Sequence, residues 1–307
     1  MRALLVVNPM ATATTPRVRD VLAHALASET TLEVVETKRS EHAIELAKGA
    51  VADGLDLVVA LGGDGTVNEV VNGLLADGPR PGLPALAVVP GGSTNVFARA
   101  LGLSSSAVEA TGELLDALRE DRRRTIGLGQ ANDRWFTFAA GLGLDAEVVR
   151  RVDQRRGAGR RATPQLFVGQ AVQHFFHGTD RSEPRLHLRT DDGEIDVHLA
   201  LALVCNTTPW TYIGRRAVLP CPQADFDHGL DVFGMRKLGT VTTLRYLRQI
   251  LSSRPRLSGR QILSLHDSDG FTLESDRPLA FQVDGDDLGD ATRVHFKAVR
   301  SALEVFA

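Results

Sequence analysis

The chain has 307 residues, of which 43% are hydrophobic, 24% charged and 5% aromatic. That length suits two domains of roughly 100–200 residues, and the apolar share excludes wholesale disorder. A formal net charge of −3 argues against a dedicated nucleic-acid binder. The two cysteines, Cys205 and Cys221, are too few for a disulfide framework or a Cys-rich metal site.

The first 120 or so residues alternate strand and helix signals. Strands are predicted at Leu4–Val7, Leu32–Glu36, Leu57–Leu61 and Leu86–Val89. Helices are predicted at Pro16–Ala27, Glu41–Ala52, Thr66–Leu75 and Thr94–Leu101. Short apolar strands between helices imply a parallel sheet covered on both faces. Ligands of such sheets sit at the carboxyl ends of the strands. The strand-to-helix loops Asn8–Thr15, Gly62–Thr66 and Pro90–Asn95 should therefore converge.

After about Arg124 the texture changes to period-two stretches: Trp135–Ala139, Arg185–Arg189, Glu194–Val204, Phe271–Glu274 and Leu279–Val283. The pairs Asp192-Gly193 and Asp269-Gly270 read as hairpin turns. Helices are expected only near Pro164–Phe176 and Val241–Leu251. The reading is α/β followed by β, with domains at 1–125 and 126–307 and the last strand allowed to return to the first domain. No run approaches the ~20 apolar residues of a transmembrane helix. The opening Met1–Pro9 lacks a signal-peptide pattern. The expectation is a cytoplasmic protein that associates peripherally with the inner face of the membrane.

Three motifs carry chemistry. In Gly62-Gly63-Asp64-Gly65-Thr66 the glycines let successive N–H groups face an anion, and the following helix adds its N-terminal N–H groups. The Asp64 carboxylate would repel a phosphate unless it binds a metal or takes a proton; its bland role is a helix cap. Gly91-Gly92-Ser93-Thr94-Asn95 repeats the arrangement at the next strand end. Asp284-Gly285-Asp286-Asp287 reads alone as an acidic hairpin turn, without the spacing of an EF-hand.

Taken together, these residues resemble the diacylglycerol kinase catalytic-domain superfamily, which includes bacterial soluble lipid kinases, sphingosine kinases and ceramide kinases. The resemblance is carried by Gly62–Thr66 followed by Asn68-Glu69-Val70-Val71-Asn72-Gly73-Leu74, and by Val7-Asn8-Pro9, Thr37 with His42-Ala43, Pro90–Arg99, Ala140–Ala146 and Val283–Asp286 in the family's order. It implies an N-terminal doubly wound α/β nucleotide domain, similar to phosphofructokinase and NAD kinase, and a C-terminal β-sandwich domain. It implies ATP and Mg²⁺, with a lipid alcohol such as diacylglycerol as acceptor, and action in the cleft between the domains. Asn8 and Thr37 would line the nucleotide pocket. Gly62, Gly63, Asp64, Gly65 and Thr66 would hold the phosphates with Gly92, Ser93 and Asn95. Asp64 and Asp286 stand as the catalytic carboxylates, and Asp64 and Asp284 as candidate Mg²⁺ ligands. The chain departs from the family pattern at Met10-Ala11-Thr12, where Ser-Gly is usual, at Ser93 for Thr, and at Asp286 for Glu.

A lipid acceptor requires docking on an anionic membrane surface. Arg155, Arg156, Arg160 and Arg161 lie in a segment of six arginines against one acid, followed by apolar residues from Leu166 to Phe176. Arg236–Arg260 is a second such segment, with seven basic residues and no acid. No nucleic acid is expected as a partner, and a homodimer is left open. The rival readings are an NAD kinase-like enzyme and a catalytically silent lipid- or nucleotide-binding protein.

Overall fold

The computed structural model describes residues 1–144, 146–147, 149–150, 185–214 and 216–307. The chain divides into two compact units, residues 1–128 with 300–307, and residues 129–299.

The first unit alternates β1 (Arg2–Val7), α1 (Pro16–Ala27), β2 (Thr31–Glu36), α2 (His42–Ala52), β3 (Leu57–Gly62), α3 (Asp64–Leu74), β4 (Ala85–Pro90), α4 (Val96–Ala100) and α5 (Ala107–Arg119). The parallel pairings run β4-β3-β1-β2, and the chain's last residues extend the sheet through Val305 beside Leu86. Every residue of β3 and β4 is buried, which explains their unbroken apolar runs. One face packs Leu5, Val59 and Val89 against Leu22 and Leu26 of α1 and Leu114 of α5. The buried apolar side chains of α2 and α3 include Ala43, Ala47, Val70 and Val71.

Local chemistry sets the helix starts. The Thr15 hydroxyl accepts from the Val18 N–H at 3.2 Å, and Pro16 occupies the first helical turn of α1. Helix α5 was missed by the sequence reading. It opens with Ser106, whose side chain accepts from the Glu109 N–H, the Ser-x-x-Glu pattern of a capping box. Helix α3 starts two residues earlier than predicted, because Gly63 in extended conformation serves as its N-cap.

The second unit is strand-rich and antiparallel. After β5 (Arg123–Ala131), which crosses the unit boundary, it contains β6 (Arg134–Phe136), β7 (Ala139–Leu142), β8 (Leu186–Thr190), β9 (Asp196–Leu199), β10 (Leu201–Cys205), β11 (Thr211–Ile213), β12 (Arg216–Val218), β13 (Leu230–Met235), α6 (Thr240–Ile250), β14 (Ile262–Ser268) and β15 (Gly270–Val283). The last strand, β16 (Asp286–Phe306), begins here and ends in the first unit. Pairings run β14-β13-β10-β7-β15-β16, with β8 and β9 joined to the other end of β15. Phe136, Phe271 and Phe296 centre its core, the last two stacked at 5.2 Å between ring centroids.

Several expectations change here. Glu194–Val204 is two strands, β9 and β10, while Phe271–Glu274 and Leu279–Val283 fuse into β15, which bulges between Glu274 and Leu279. Asp192-Gly193 does join paired strands, β8 and β9. Asp269-Gly270 instead connects β14 to β15, which pair with other strands. The predicted helix at 164–176 lies outside the described residues.

Two glycines in neighbouring helices make a paired test. A Cβ on Gly73 of α3 would lie 2.5 Å from the Ile44 carbonyl oxygen of α2, so the two helices cross with no room for a side chain. A Cβ on Gly49 of α2 would meet nothing within 4 Å. Gly73→Ala is expected to destabilise by roughly 1–3 kcal/mol through overpacking, and Gly49→Ala to stabilise by about 0.5–1 kcal/mol through helix propensity. Urea denaturation of both variants measures the two signs.

Candidate active site

All three predicted loops meet at the carboxyl ends of β1, β3 and β4. The Gly91 N–H donates to the Gly62 carbonyl at 2.7 Å, and the Ala13 N–H donates to the Gly91 carbonyl at 2.8 Å. The two glycine turns touch backbone to backbone: a Cβ on Gly92 would lie 2.7 Å from the Gly63 Cα, and one on Gly91 would lie 3.1 Å from the Gly62 Cα. A Cβ on Gly62 would fall 2.6 Å from the Thr66 Oγ1. These glycines are therefore required by close approach.

The first turn of α3 contains Asp64, Gly65 and Thr66, and the first i→i−4 bond of the helix is the Val67 N–H to the Gly63 carbonyl at 3.1 Å. A helix start of this kind presents N–H groups and partial positive charge to an anion. Asn8 frames the site. Its Nδ2 donates to the Thr66 Oγ1 at 2.9 Å, and its Oδ1 accepts from the Met10 N–H at 2.9 Å. Thr37 is half-buried beside it, its N–H donating to the Val7 carbonyl at 2.8 Å.

Some candidates prove to shape the site. Asn95, in left-handed conformation at φ 48°, accepts from the Gly92 N–H at 2.8 Å and donates to the Gly92 carbonyl at 2.9 Å. It fixes the glycine turn; Ser93, exposed at the tip, remains the side chain available to a ligand oxygen. The Asp64 Oδ1 accepts from the Phe97 N–H at 3.1 Å, tying the start of α3 to α4. The expected cap on α3 is not formed, since Gly63 occupies that position, and Asp64 instead bonds an N–H in the first turn of α4.

The sequence reading missed two contributors. Glu69 accepts from the N–H groups of Glu41 and Ala43 at 2.9 and 3.1 Å, so this signature residue caps α2. Among the described residues the Thr14 Oγ1 is buried with no hydrogen-bond partner, and it sits where a Cβ on Gly91 would reach it at 2.5 Å. A buried orphan hydroxyl at the lip of the cradle is a donor that a ligand oxygen would satisfy. The hydroxyl run Thr12, Thr14, Thr15 was its signal. A cavity of about 840 Å³ also lies in this unit, at the opposite strand ends among Asp56, Arg80, Arg123 and Glu304, and none of residues 62–66 or 90–95 lines it.

In the second unit, Asp284-Gly285 forms a two-residue hairpin loop between β15 and β16, both residues at positive φ (49° and 85°). The Asp284 carboxylate is 4% exposed and accepts four hydrogen bonds, from the Thr137 N–H and Oγ1 and from the Phe138 and Ala139 N–H groups, at 2.7–3.0 Å. It is a structural anchor, which replaces the expectation of a metal ligand at Asp284. Asp287 is held by Arg150 through three contacts of 3.0–3.2 Å, and Arg150 also bonds Asp290 at 2.6 Å. The Asp287 hydrogen bonds, then those of Asp290, raise the Arg150 pKa above its ordinary value. Asp286 is half-buried at the start of β16. Among the described residues no three His, Cys, Asp or Glu side chains cluster as a metal site. Asp284 is thus committed to its turn, and one oxygen of Asp64 to the Phe97 N–H.

The first unit is thus an α/β unit whose strand-end loops bring two glycine turns into contact. Residues 2–131 match the family described as the diacylglycerol kinase catalytic domain. A diacylglycerol kinase of Bacillus subtilis (strain 168) is 41% identical over 107 residues, which are 35% of this chain and 33% of that protein. The chain therefore spans about a third of that relative's length. Among solved structures, a diacylglycerol kinase from Bacillus anthracis str. Sterne superposes with a TM-score of 0.72 at 19% identity, over 99% of this chain and 96% of that one. An NAD kinase from Archaeoglobus fulgidus in complex with ATP gives 0.53 at 14% identity, over 100% and 94%. These two show a common fold, α/β followed by a strand-rich domain.

Gly92→Ala would push a methyl group into the Gly63 backbone. It is expected to weaken ATP binding at least tenfold, whereas Gly49→Ala leaves it unchanged. Isothermal titration with ATP checks both.

Proposed function

We propose that the protein is an ATP-dependent lipid kinase, transferring the γ-phosphoryl group to the hydroxyl of diacylglycerol or a related lipid alcohol. The product would be phosphatidic acid or its analogue. The observation that carries this reading is the paired glycine cradle, Gly62-Gly63 against Gly91-Gly92, within a segment that matches the diacylglycerol kinase catalytic domain.

Phosphoryl transfer depends on positioning and on neutralising charge. The N–H groups at the start of α3, with Ser93 and Thr14, hold the phosphates. Asn8, Asn95 and Glu69 keep that frame rigid by the hydrogen bonds given above. Asp64, between the starts of α3 and α4, orients groups at the cradle. The acceptor oxygen bonds to the γ-phosphorus as the bond to ADP breaks, and its proton passes to a carboxylate. That carboxylate is Asp286. The resemblance supports the choice: Asp286 stands at the third position of Asp284-Gly285-Asp286, where the family carries Glu.

Incubation with radiolabelled ATP and a total lipid extract tests the reading directly: a labelled lipid is expected, and label in NAD alone would overturn it. Asp64→Asn keeps an acceptor for the Phe97 N–H, so melting temperature should hold while turnover falls at least 100-fold. Asp286→Asn should likewise remove most turnover, and Asp287→Asn should cost less than tenfold. Loss confined to the Asp287 variant would contradict the assignment.

A further inference from the structure

Nine large apolar side chains are exposed among the described residues, and three of them, Val241, Leu244 and Leu247, lie on the single helix α6. Val241 is 82% exposed and Leu244 51%. At 100° per residue, Val241 and Leu244 fall with Arg245 and Arg248 on the outward side, opposite the buried Tyr246 and Ile250. The outward face is therefore apolar and basic, with no acid.

The flanks continue the bias. Residues 236–260 contain Arg236, Lys237, Arg245, Arg248, Arg254, Arg256 and Arg260 and no Asp or Glu. None of the seven forms an ion pair among the described residues, whereas Arg19, Arg39, Arg119, Arg122 and Arg123 are all paired. In a chain of net charge −3 this is a local surplus of uncompensated positive charge.

The face is also held in place. The Tyr246 hydroxyl donates to the Ser258 carbonyl at 2.9 Å, the Arg216 Nε donates to the Leu251 carbonyl at 2.6 Å, and the Leu219 N–H donates to the Ile250 carbonyl at 2.7 Å. Beneath the helix, Tyr246 packs with Met235, Leu238 and Leu257. An apolar stripe flanked by cations on a fastened helix is suited to lying in the plane of a bilayer interface, with the apolar side chains inserted and the arginines among anionic headgroups.

We propose that α6 and its basic flanks are a docking surface for an anionic lipid membrane. A second copy of the chain fits poorly, since it would set the same unpaired cations against their equivalents. The inference names the surface from which a membrane-bound acceptor would be approached, and to that extent rests on the lipid kinase reading.

The test is flotation of the full chain with vesicles of phosphatidylcholine, with and without phosphatidylglycerol. Binding is expected only with the anionic lipid, and should weaken as salt rises. With each surface charge contributing on the order of fivefold, Arg245→Gln with Arg248→Gln should weaken binding about 25-fold. Val241→Ser with Leu244→Ser, both at exposed positions, should weaken it roughly tenfold or more. Activity on lipid in detergent micelles should stay within about twofold for both variants. Wild-type indifference to anionic vesicles, or binding unchanged in both variants, overturns the proposal. So does a change of sedimentation coefficient in the variants, which would make the face a contact between copies. Vesicle binding by a wild type that labels no lipid in micelles would leave the docking surface standing and remove the kinase reading.

Discussion

The contact between two glycine turns governs the first unit. A side chain on Gly92 would run into the Gly63 backbone, and the Gly91 N–H to Gly62 carbonyl bond locks the turns together. Neighbouring parallel strands lie close to 5 Å apart, so the loops that leave β3 and β4 meet unless one gives way. With glycines on both turns neither does. The remaining signature residues serve that contact: Asn95 pins Gly92, Asn8 braces Thr66, and Asp64 links the two helix starts.

A second constraint works in the other unit. Asp284, buried at the tip of the β15–β16 hairpin, gathers four donors from a separate chain segment, residues 137–139. A buried carboxylate is tolerable only with its lone pairs satisfied, and here the satisfaction fixes the turn that begins β16. The Arg150 guanidinium secures Asp287 and Asp290 a few residues later. Asp286 thus lies in a stretch anchored on both sides.

Most of the first unit was legible because its strands are fully buried and its helices begin at recognisable caps. Helix α1 begins at the residue the sequence suggests, since Thr15-Pro16 is an unambiguous start. The convergence of the loops followed from the strand–helix alternation alone. Less legible was the division of labour within the motifs. Glu69 and Gly73 sit inside a signature that reads as ligand-binding, yet one caps α2 and the other permits a helix crossing. Long-range contacts of that kind leave no periodic trace. Asp284 misled in the same way, because a carboxylate that holds a turn and one that holds a metal look alike in sequence. In the second unit, strand limits failed where an edge bulges, as in β15, or where one residue separates two strands, as Ala200 separates β9 from β10.

The central claim is that the three loops act as one receptor for the phosphates of a nucleotide. Hydrogen–deuterium exchange on the full chain, with and without ATP, tests it most directly. The account predicts slowed exchange in residues 8–15, 62–66 and 90–95 together, and little change when adenosine replaces ATP. Protection absent from the two glycine turns, or equal with adenosine, would contradict it.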